Sequence, residues 1–243
     1  HRKLSVTGKM ISVCMATSNG AKYIRQQLLS ILAQIGEGDE VVISDDGSTD
    51  STLDIVRSMA DGRIKIVGGP CRRSPVWNFE NALGHAKGDY IFLADQDDVW
   101  QPDKVSTCMR WLKRYDCVVS DARMADEQLG IIKDSYFKMH RTKPGRWYNL
   151  FVKNGYMGCC MAFTRRVLDA ALPFPKDTPM HDLWLGNVAA FRFSVKFIDD
   201  KLVTYRCHGG NASFTAAGKS GFSLSEKLHI RLQTAVNLLA RRQ

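Results

Sequence analysis

The sequence predicts an α/β fold with a mainly parallel central sheet flanked by helices. Short apolar runs alternate with segments of helical period over the first half of the chain, and two of the runs end in aspartate clusters. The 243 residues, 44% of them hydrophobic, suffice for one large domain with a full core. Ligands of parallel sheets bind beyond the carboxyl ends of the strands, so the aspartates mark the expected site.

The alternation begins at Met10. Residues 10–16 have the apolar composition of a buried strand, and a polar turn at 17–20 precedes a helix expected at about 22–35. Strands are predicted at 40–44, 64–67 and 90–94, with helices after residue 50 and at about 75–86. This β-α-β-α-β-α-β order predicts parallel strands, because crossovers between such strands are almost always right-handed.

The fourth of these strands ends in three carboxylates, those of Asp95, Asp97 and Asp98. Asp95 and Asp97 are two residues apart, so continued strand geometry would point both to one side, where they could share a divalent cation. A solvated turn is the alternative for this segment taken alone. The second strand also ends in acids, Asp45 and Asp46, and this repetition favours a binding site.

The composition excludes several classes of function. Of the net charge of +9, residues 1–9 carry +3 and residues 219–243 carry +4, so the body at 10–218 is nearly balanced. It has no stripe of basic and aromatic residues, which argues against nucleic-acid binding. No apolar run approaches the roughly 20 residues of a membrane span and no leader opens the chain, so we expect a cytoplasmic protein.

The chain is therefore divided into three parts. Residues 1–9 lack an apolar period and are expected to be a cloning remnant, residues 10–218 to form the main domain, and residues 219–243 to form a basic amphipathic helix. Residues 131–146 mix basic and aromatic side chains without a clear period, and we expect them over the mouth of the site.

Signatures of other sites are absent. The seven cysteines include no C-x-x-C pair, so we expect reduced, mostly buried thiols and neither disulfides nor a zinc cage. There is no Walker loop and no G-x-S-x-G elbow, and the pair Gly36-x-Gly38 has Val41 where a dinucleotide fingerprint needs a third glycine. A nucleotide would have to be held by carboxylates and a metal.

Five stretches occur in order along most of the chain: VCMATSNG at 13–20, DDGSTDST at 45–52, GDYIFLADQDDVW at 88–100, MHDLWL at 180–185 and YRCHGGN at 205–211. Together they resemble family 2 glycosyltransferases of the GT-A fold, in particular the rhamnosyltransferase-like enzymes of bacterial surface polysaccharides. The resemblance implies a nucleotide-binding N-terminal half and an acceptor-binding C-terminal half. The implied donor is a nucleoside diphosphate sugar, with a UDP-sugar favoured and dTDP-rhamnose as another candidate.

The resemblance also implies residue roles. The donor would be held by Thr17, Asn19, Asp45, Asp46, Asp95 and Gln96. Mn²⁺ or Mg²⁺ would be held by Asp95, Asp97 and His208. For Asp45 a turn or helix-cap role is the alternative, and for His208 a plain loop histidine.

The acceptor side is implied to include Gly158, Cys159, His181 and Trp184. Cys159 is as well explained as a core thiol. Asp182 lies at the start of a predicted helix, where an aspartate often caps the helix. The resemblance instead makes Asp182 the base that takes a proton from the incoming hydroxyl, and we favour that role.

The last helix is predicted from Ser225 onwards. It carries an apolar face flanked by basic residues, formed by Leu228, Leu232, Ala235, Val236 and Leu239. This face suits either docking on the domain or lying on an anionic membrane. The resembling enzymes act on lipid-linked saccharides, so we expect peripheral contact with the inner face of the cell membrane and an undecaprenyl-type acceptor.

The function expected from the resemblance is inverting transfer of a sugar by single displacement, for O-antigen, capsule or exopolysaccharide synthesis. A metal-dependent sugar nucleotidyltransferase is an alternative, but it should carry a basic glycine-rich loop after the first strand, and residues 17–20 do not. A non-catalytic sugar-nucleotide-binding module is a further alternative. Asp97 and Asp182 argue against that module.

Overall fold

The computed structural model describes residues 8–209 and 223–241. The predicted β-α-β-α-β-α-β series is confirmed. Its strands are β1 (Ile11–Thr17), β2 (Glu40–Asp45), β3 (Ile64–Gly68) and β4 (Tyr90–Asp95), and its helices are α1 (Ile24–Leu32), α2 (Thr52–Ser58) and α3 (Pro75–His85). Helix α1 begins two residues later than expected, because the turn before it closes with Gly20 O accepting from the N–H groups of Tyr23 and Ile24.

The second half is less regular. Its strands are β5 (Val99–Trp100), β6 (Cys117–Ala125), β7 (Ile131–Lys133), β8 (Met161–Thr164) and β9 (Val195–Arg206). Its helices are α4 (Lys104–Leu112), α5 (Tyr136–His140), α6 (Arg146–Phe151), α7 (Arg165–Ala171), α8 (His181–Arg192) and α9 (Leu224–Ala240), with a 3-10 turn at Gly158–Cys160. The segment 131–146, which has no clear sequence period, contains β7 and α5.

Within the described residues the strands form one sheet in the order β3-β2-β1-β4-β8-β6-β9-β5, with β7 paired to β6. Strands β1 to β4 pair in parallel, whereas β8 is antiparallel to both β4 and β6. Strand β9 returns parallel to β6, and β5 lies antiparallel to β9. The α/β prediction is confirmed, with a parallel first half and a mixed second half.

The register of the central strands assembles the site. In the pairing of β1 with β2, Thr17 lies opposite Asp45, and in the pairing of β1 with β4, Ala16 lies opposite Asp95. The two acidic strand ends therefore flank the end of β1. Helices cover both faces of these strands, so their side chains are buried on both sides, and this explains their continuous apolar runs.

Helix α9 packs against α6 and α8, with Thr234 and Leu238 buried. Of the apolar face predicted for it, Ala235 packs against the core, whereas the large side chains point elsewhere. Its four large side chains are 53–62% exposed and are Leu228, Leu232, Val236 and Leu239. The helix therefore docks through a different side from the one that the apolar pattern indicates. Of the predicted segments, residues 1–7, 219–222 and 242–243 lie outside the described residues, as does Asn211 of the last motif.

All seven cysteines are free, and five of them are buried, as the sequence predicts. Cys71 is exposed and Cys207 is partly exposed. In the part of the chain that the structure describes, no helix is both long and apolar enough to cross a bilayer.

Candidate active site

The acidic segment after β4 forms the floor of the site. Asp95 is partly exposed, whereas Asp97 is nearly buried and Asp98 is fully buried. The strand end is fixed from α1, where the buried Gln27 donates its Nε2–H to Asp95 O at 2.8 Å. The local sequence places three carboxylates at the point where the buried strand meets solvent, and the fold holds them there.

Arg206, at the end of β9, ties this segment to the rest of the domain. Its backbone N–H donates to Asp98 Oδ1 at 3.0 Å and its Nε–H donates to Asp97 O at 2.8 Å. The guanidinium also donates to Gln26 Oε1 at 2.7 Å and to Glu127 O, and it lies 4.6 Å from the ring centre of Tyr23. One buried cation thus fixes the loop that carries Asp97 and Asp98.

His208 follows two residues later and reaches the same loop. Its Nε2 lies 2.7 Å from Asp97 Oδ2, and both side chains are 12% exposed. Its ring is 5.0 Å from that of Tyr23. The structure therefore brings His208 to Asp97 across 111 positions of sequence.

Asp182 enters from α8. The N-cap of that helix is Met180, with no capping side chain, and Asp182 lies in the first helical turn. Its carboxylate accepts from Leu183 N–H at 2.6 Å and from Gly158 N–H, which lower the pKa, but burial outweighs them and raises the pKa of Asp182 to about 6. Asp182 is therefore not the N-cap residue of α8, and the helix has no side-chain cap.

Asp182 and the acidic floor belong to one site. Burial, the charge of Asp97 and the charge of Asp182 raise the pKa of Asp95 to about 7. Burial and the charges of Asp97 and Asp95 raise the pKa of Asp98 well above its ordinary value. Carboxylates crowded in this way disfavour one another's ionisation unless a cation joins them.

Lys104, at the start of α4, lies behind this cluster. It is fully buried, its Nζ donates to Cys159 O at 2.8 Å and lies 4.9 Å from the ring centre of Trp100. Its charge lowers the pKa of Asp95, against the larger effects that raise it. Lys104 therefore holds the 3-10 turn in place and adds a positive charge to the acidic site.

The turn at Gly158–Cys160 joins the acidic floor to α8. A Cβ on Gly158 would lie 2.7 Å from His181 Nε2, so only glycine lets the two segments approach this closely. The His181 ring stacks on Phe79 with centres 4.0 Å apart, and burial lowers its pKa to about 3, so it is neutral. Among the buried polar atoms described, its Nε2 has no hydrogen-bond partner.

A second polar cluster lies at the end of β2. Asp45 Oδ1 accepts from Thr17 Oγ1 at 2.8 Å and from Ser48 Oγ at 2.6 Å, and Asp45 Oδ2 accepts from Ser48 N–H at 2.8 Å. Asp46 accepts from Arg72 N–H at 3.1 Å and Ser74 N–H at 3.2 Å. Both carboxylates are buried and fix the loops around them.

Asn19 and Gln96 connect the two strand ends. Asn19 has a φ of 49°, and its Oδ1 accepts from Thr49 N–H at 2.9 Å. Gln96 forms a reciprocal pair with the backbone of Ser18, with both bonds at 3.0 Å. A Cβ on Gly20 would lie 2.3 Å from Gln96 Oε1, so glycine is needed for this approach.

Trp184 lies apart from these groups. It is 2% exposed, its indole N–H donates to Ala171 O at 2.9 Å and Arg241 covers its ring at 5.3 Å. The structure thus brings together Asp95, Asp97, Asp182, His208, Gly158 and Cys159, and places Trp184 on the buried side of α8, in the core.

Comparison with known proteins decides the family. The sequence profile described as glycosyl transferase family 2 matches residues 12–172. The chain belongs to glycosyl transferase family 2. The matched stretch includes both acidic strand ends, whereas Asp182 and His208 lie beyond it.

The chain is 26% identical over 208 residues to the Escherichia coli protein WfaP, a UDP-Glc:α-D-GlcNAc-diphosphoundecaprenol β-1,3-glucosyltransferase, covering 84% of this chain and 80% of WfaP. It also resembles S. aureus TarS residues 1–349, solved with UDP-GlcNAc, at a TM-score of 0.68 and 17% identity, covering 93% of this chain and 71% of the other. The mannosyltransferase PcManGT of Pyrobaculum calidifontis, solved with GDP-Man and Mn²⁺, is similar at a TM-score of 0.65 and 22% identity. That match covers 99% of this chain and 77% of PcManGT. These structural likenesses establish the GT-A fold.

The side chains of this glycosyltransferase fit a hard divalent cation. Carboxylate oxygens of Asp95 and Asp98 and the sulfur of Cys159 lie within 4.8 Å of one another. The pKa of the buried Cys159 thiol is raised, first by its hydrogen bond to Cys160, so it stays protonated and is a poor ligand. Asp98 is buried, with its Oδ1 accepting from Arg206 N–H and its Oδ2 without a hydrogen-bond partner among the buried polar atoms described. Asp95 and Asp98 thus present carboxylate oxygens here, and Asp97 lies beside them in contact with His208.

Sequence reasoning missed three residues of this glycosyltransferase site, namely Lys104, Arg206 and Gln27. Arg206 lies inside the matching stretch at 205–211, and that position was the available signal. Lys104 resembles any lysine at the start of a helix, and only its complete burial reveals its role. Gln27 lies on the apolar side of α1, where a buried amide indicates a specific partner.

Proposed function

We propose that this family 2 enzyme transfers a sugar from a nucleoside diphosphate sugar to a hydroxyl of a lipid-linked saccharide during assembly of a bacterial surface polysaccharide. The observation that carries the proposal is the meeting of Asp182 with the acidic floor at the carboxyl ends of the parallel strands. Contacts join the two: Asp182 accepts from Gly158 N–H, and the sulfur of the next residue, Cys159, lies within 4.8 Å of carboxylate oxygens of Asp95 and Asp98. The similarity to WfaP supports a bacterial, undecaprenyl-linked acceptor.

In this proposal the donor lies across the ends of β1, β2 and β4. Asp45 and Asp46 border the site for the base and ribose, and Thr17, Asn19 and Gln96 hold the surrounding loops by the hydrogen bonds described above. A UDP-sugar is favoured, since WfaP uses UDP-Glc and TarS binds UDP-GlcNAc, and dTDP-rhamnose is the other candidate donor.

Asp95, Asp97 and His208 would hold Mn²⁺ or Mg²⁺. A bound divalent cation offsets the negative charge that develops on a departing diphosphate. PcManGT, solved with Mn²⁺, supports the choice. Arg206 donates to Asp97 O and Asp98 Oδ1 and so holds the loop from which the Asp97 carboxylate projects.

Asp182 is the proposed base. Its pKa of about 6, raised by burial, leaves it ionised near neutral pH yet basic enough to accept the proton of an attacking hydroxyl. The hydroxyl oxygen attacks the anomeric carbon as the bond to the diphosphate breaks, in a single displacement that inverts the configuration. Gly158, Cys159 and His181 border the acceptor, and Trp184 anchors α8 in the core through its bond to Ala171 O.

The proposed location is the inner face of the cell membrane, where the enzyme makes peripheral contact. The lipid-linked acceptor named for WfaP supports this location.

Thermal stabilisation tests the proposal directly. We expect a UDP-sugar with Mn²⁺ to raise the melting temperature more than GDP- or dTDP-sugars do, because ligand binding to the folded state stabilises it. Asp97→Ala should abolish the metal-dependent part of this shift and leave the fold intact. Unchanged metal dependence in Asp97→Ala would remove Asp97 from the metal site.

A further inference from the structure

We infer that α6 and α9 together form a membrane-docking surface that fits the anionic headgroups of a bilayer. The choice of a bilayer rests on the proposed function, in which the acceptor is lipid-linked. The surface itself is defined by exposure, charge and contacts in this chain.

The exposed apolar side chains are concentrated at this place. Of the twelve large hydrophobic residues that are exposed in the described part of the chain, eight lie on α6, on the residue after it, or on α9. They are Trp147, Phe151, Val152, Leu224, Leu228, Leu232, Val236 and Leu239. Exposed apolar side chains concentrated on neighbouring helices mark an interaction surface.

The two helices form one surface. They pack against each other, and Arg231 of α9 donates to Val152 O at 2.5 Å. On α6, the rings of Trp147 and Phe151 are stacked 6.0 Å apart. Trp147 also meets Phe191 of α8 edge-on at 4.9 Å, so the exposed aromatic pair is anchored to the domain.

The charges around the patch select the partner. Arg146 lies 5.6 Å from the ring centre of Trp147, Lys143 is exposed three residues before Arg146, and Lys227 directly precedes Leu228 on α9. The acids described along α9 are Glu226 in its first turn and Asp177, which accepts from Asn237. A bilayer with anionic lipids attracts such cations and accepts tryptophan, phenylalanine and leucine at its interface.

The surface is also tied to the acceptor side of the site. Asn149, on the buried side of α6, donates to Lys143 O and Gly145 O at 2.9 Å and accepts from Gly155 N–H at 2.7 Å. Three residues after Gly155 the chain reaches Gly158, whose N–H donates to Asp182. Docking through α6 would therefore hold the acceptor side of the site near the bilayer that carries the acceptor.

Vesicle flotation of the full chain tests this inference, with phosphatidylcholine vesicles compared with vesicles of phosphatidylcholine and phosphatidylglycerol. We expect binding to the anionic vesicles alone, weakened by added salt. Leu228→Glu should lower that affinity at least about tenfold. Lys143→Gln should lower it about fivefold. Leu29→Glu is the matched control, because Leu29 on α1 is also 56% exposed, and it should bind normally.

Trp147 supplies a second measurement. It is the exposed one of the five tryptophans, so vesicles with brominated acyl chains should quench its fluorescence, and Trp147→Phe should remove most of that quenching. Equal binding to both vesicle types, or equal loss in Leu228→Glu and Leu29→Glu, would overturn the inference. So would a dimer in sedimentation that Leu228→Glu dissociates.

The outcome is separable from the proposed function. Metal-dependent binding of the donor by Leu228→Glu should equal that of the unaltered chain, because α9 lies outside the proposed donor site. A chain that binds anionic vesicles but no nucleotide sugar contradicts the proposed function alone. A chain that binds the sugar but ignores anionic vesicles contradicts the docking surface alone.

Discussion

Two acidic clusters lie at neighbouring strand ends, and their surroundings differ. The β2 cluster, Asp45 and Asp46, accepts five hydrogen bonds from Thr17, Ser48, Arg72 and Ser74. The β4 cluster, Asp95, Asp97 and Asp98, lies with Asp182 where burial and mutual repulsion raise pKa values. The first cluster is complete within the protein, whereas the second is arranged for a cation and for proton transfer.

The largest effect is expected at Asp182. In Asp182→Asn, the amide oxygen can still accept from Leu183 N–H, but the side chain cannot take a proton at neutral pH, so transfer should fall about 10²- to 10⁴-fold. The transfer rate at saturating donor and the melting temperature would be measured together. A stable variant with near-normal transfer would show that the base lies elsewhere.

The pH dependence of transfer also tests whether Asp182 is the base. Burial raises the pKa of Asp182 to about 6, and only the ionised carboxylate acts as a base. With Mn²⁺ saturating, so that Asp95 adds no second titration, we therefore expect kcat/KM for the acceptor to fall about tenfold per pH unit below about 6 and to level off above it. Residual transfer by Asp182→Asn should show no such slope. A slope retained in that variant would assign the titration to another group.

Lys104 tests whether the β4 cluster depends on a buried cation. Lys104→Met removes a charged hydrogen bond to Cys159 O and should lower the free energy of unfolding by about 2 kcal/mol at neutral pH. Lys87→Met is the control, since the Lys87 side chain is exposed, and it should change stability by less than about 0.5 kcal/mol. Equal effects in urea denaturation would show that Lys104 contributes no more than a surface lysine.

The smallest expected effect is the change in stability when one aspartate is replaced by asparagine, and it has opposite signs in the two clusters. Asp45→Asn removes charge from a carboxylate with three donors and should cost about 1 kcal/mol of stability without metal. Asp98→Asn replaces a buried acid whose pKa is raised, and it keeps an acceptor for Arg206 N–H, so it should stabilise the metal-free protein by about 1 kcal/mol.

The sign for Asp98 follows from linkage. Its pKa is higher in the folded than in the unfolded protein, so ionisation costs stability as the pH rises above the unfolded value. The gain in Asp98→Asn should therefore vanish in acid, below the ordinary aspartate pKa. Destabilisation by Asp98→Asn at neutral pH in urea denaturation would contradict the contrast between the clusters.

Much of the fold could be predicted because its signals are local. The buried parallel strands are continuous apolar runs, and their order with the helices leaves few topologies. The acids of both clusters could be predicted as strand-end residues for the same reason, since they directly follow apolar runs. The pairing of β6 with β9 in parallel and with β8 antiparallel joins distant segments, and no local pattern specifies it.

The apolar face of α9 shows the limit of periodicity. The spacing of Leu228, Leu232, Val236 and Leu239 correctly predicts a helix with one apolar side. Periodicity does not say what covers that side, and in the fold Thr234 and Leu238 face the domain instead. The choice depends on the surfaces that α6 and α8 present, which are properties of the assembled chain.

The sequence by itself determined the α/β class, the order of the first seven elements and the acids that end β2 and β4. Tertiary structure decided which of those acids act together, because His208, Asp182 and Lys104 reach the β4 cluster from 6 to 111 positions away along the chain. It also decided their chemistry. Burial and neighbouring charge raise the pKa of Asp182 and Asp95, and both exist only once the strands, α8 and the turn at Gly158–Cys160 have packed together.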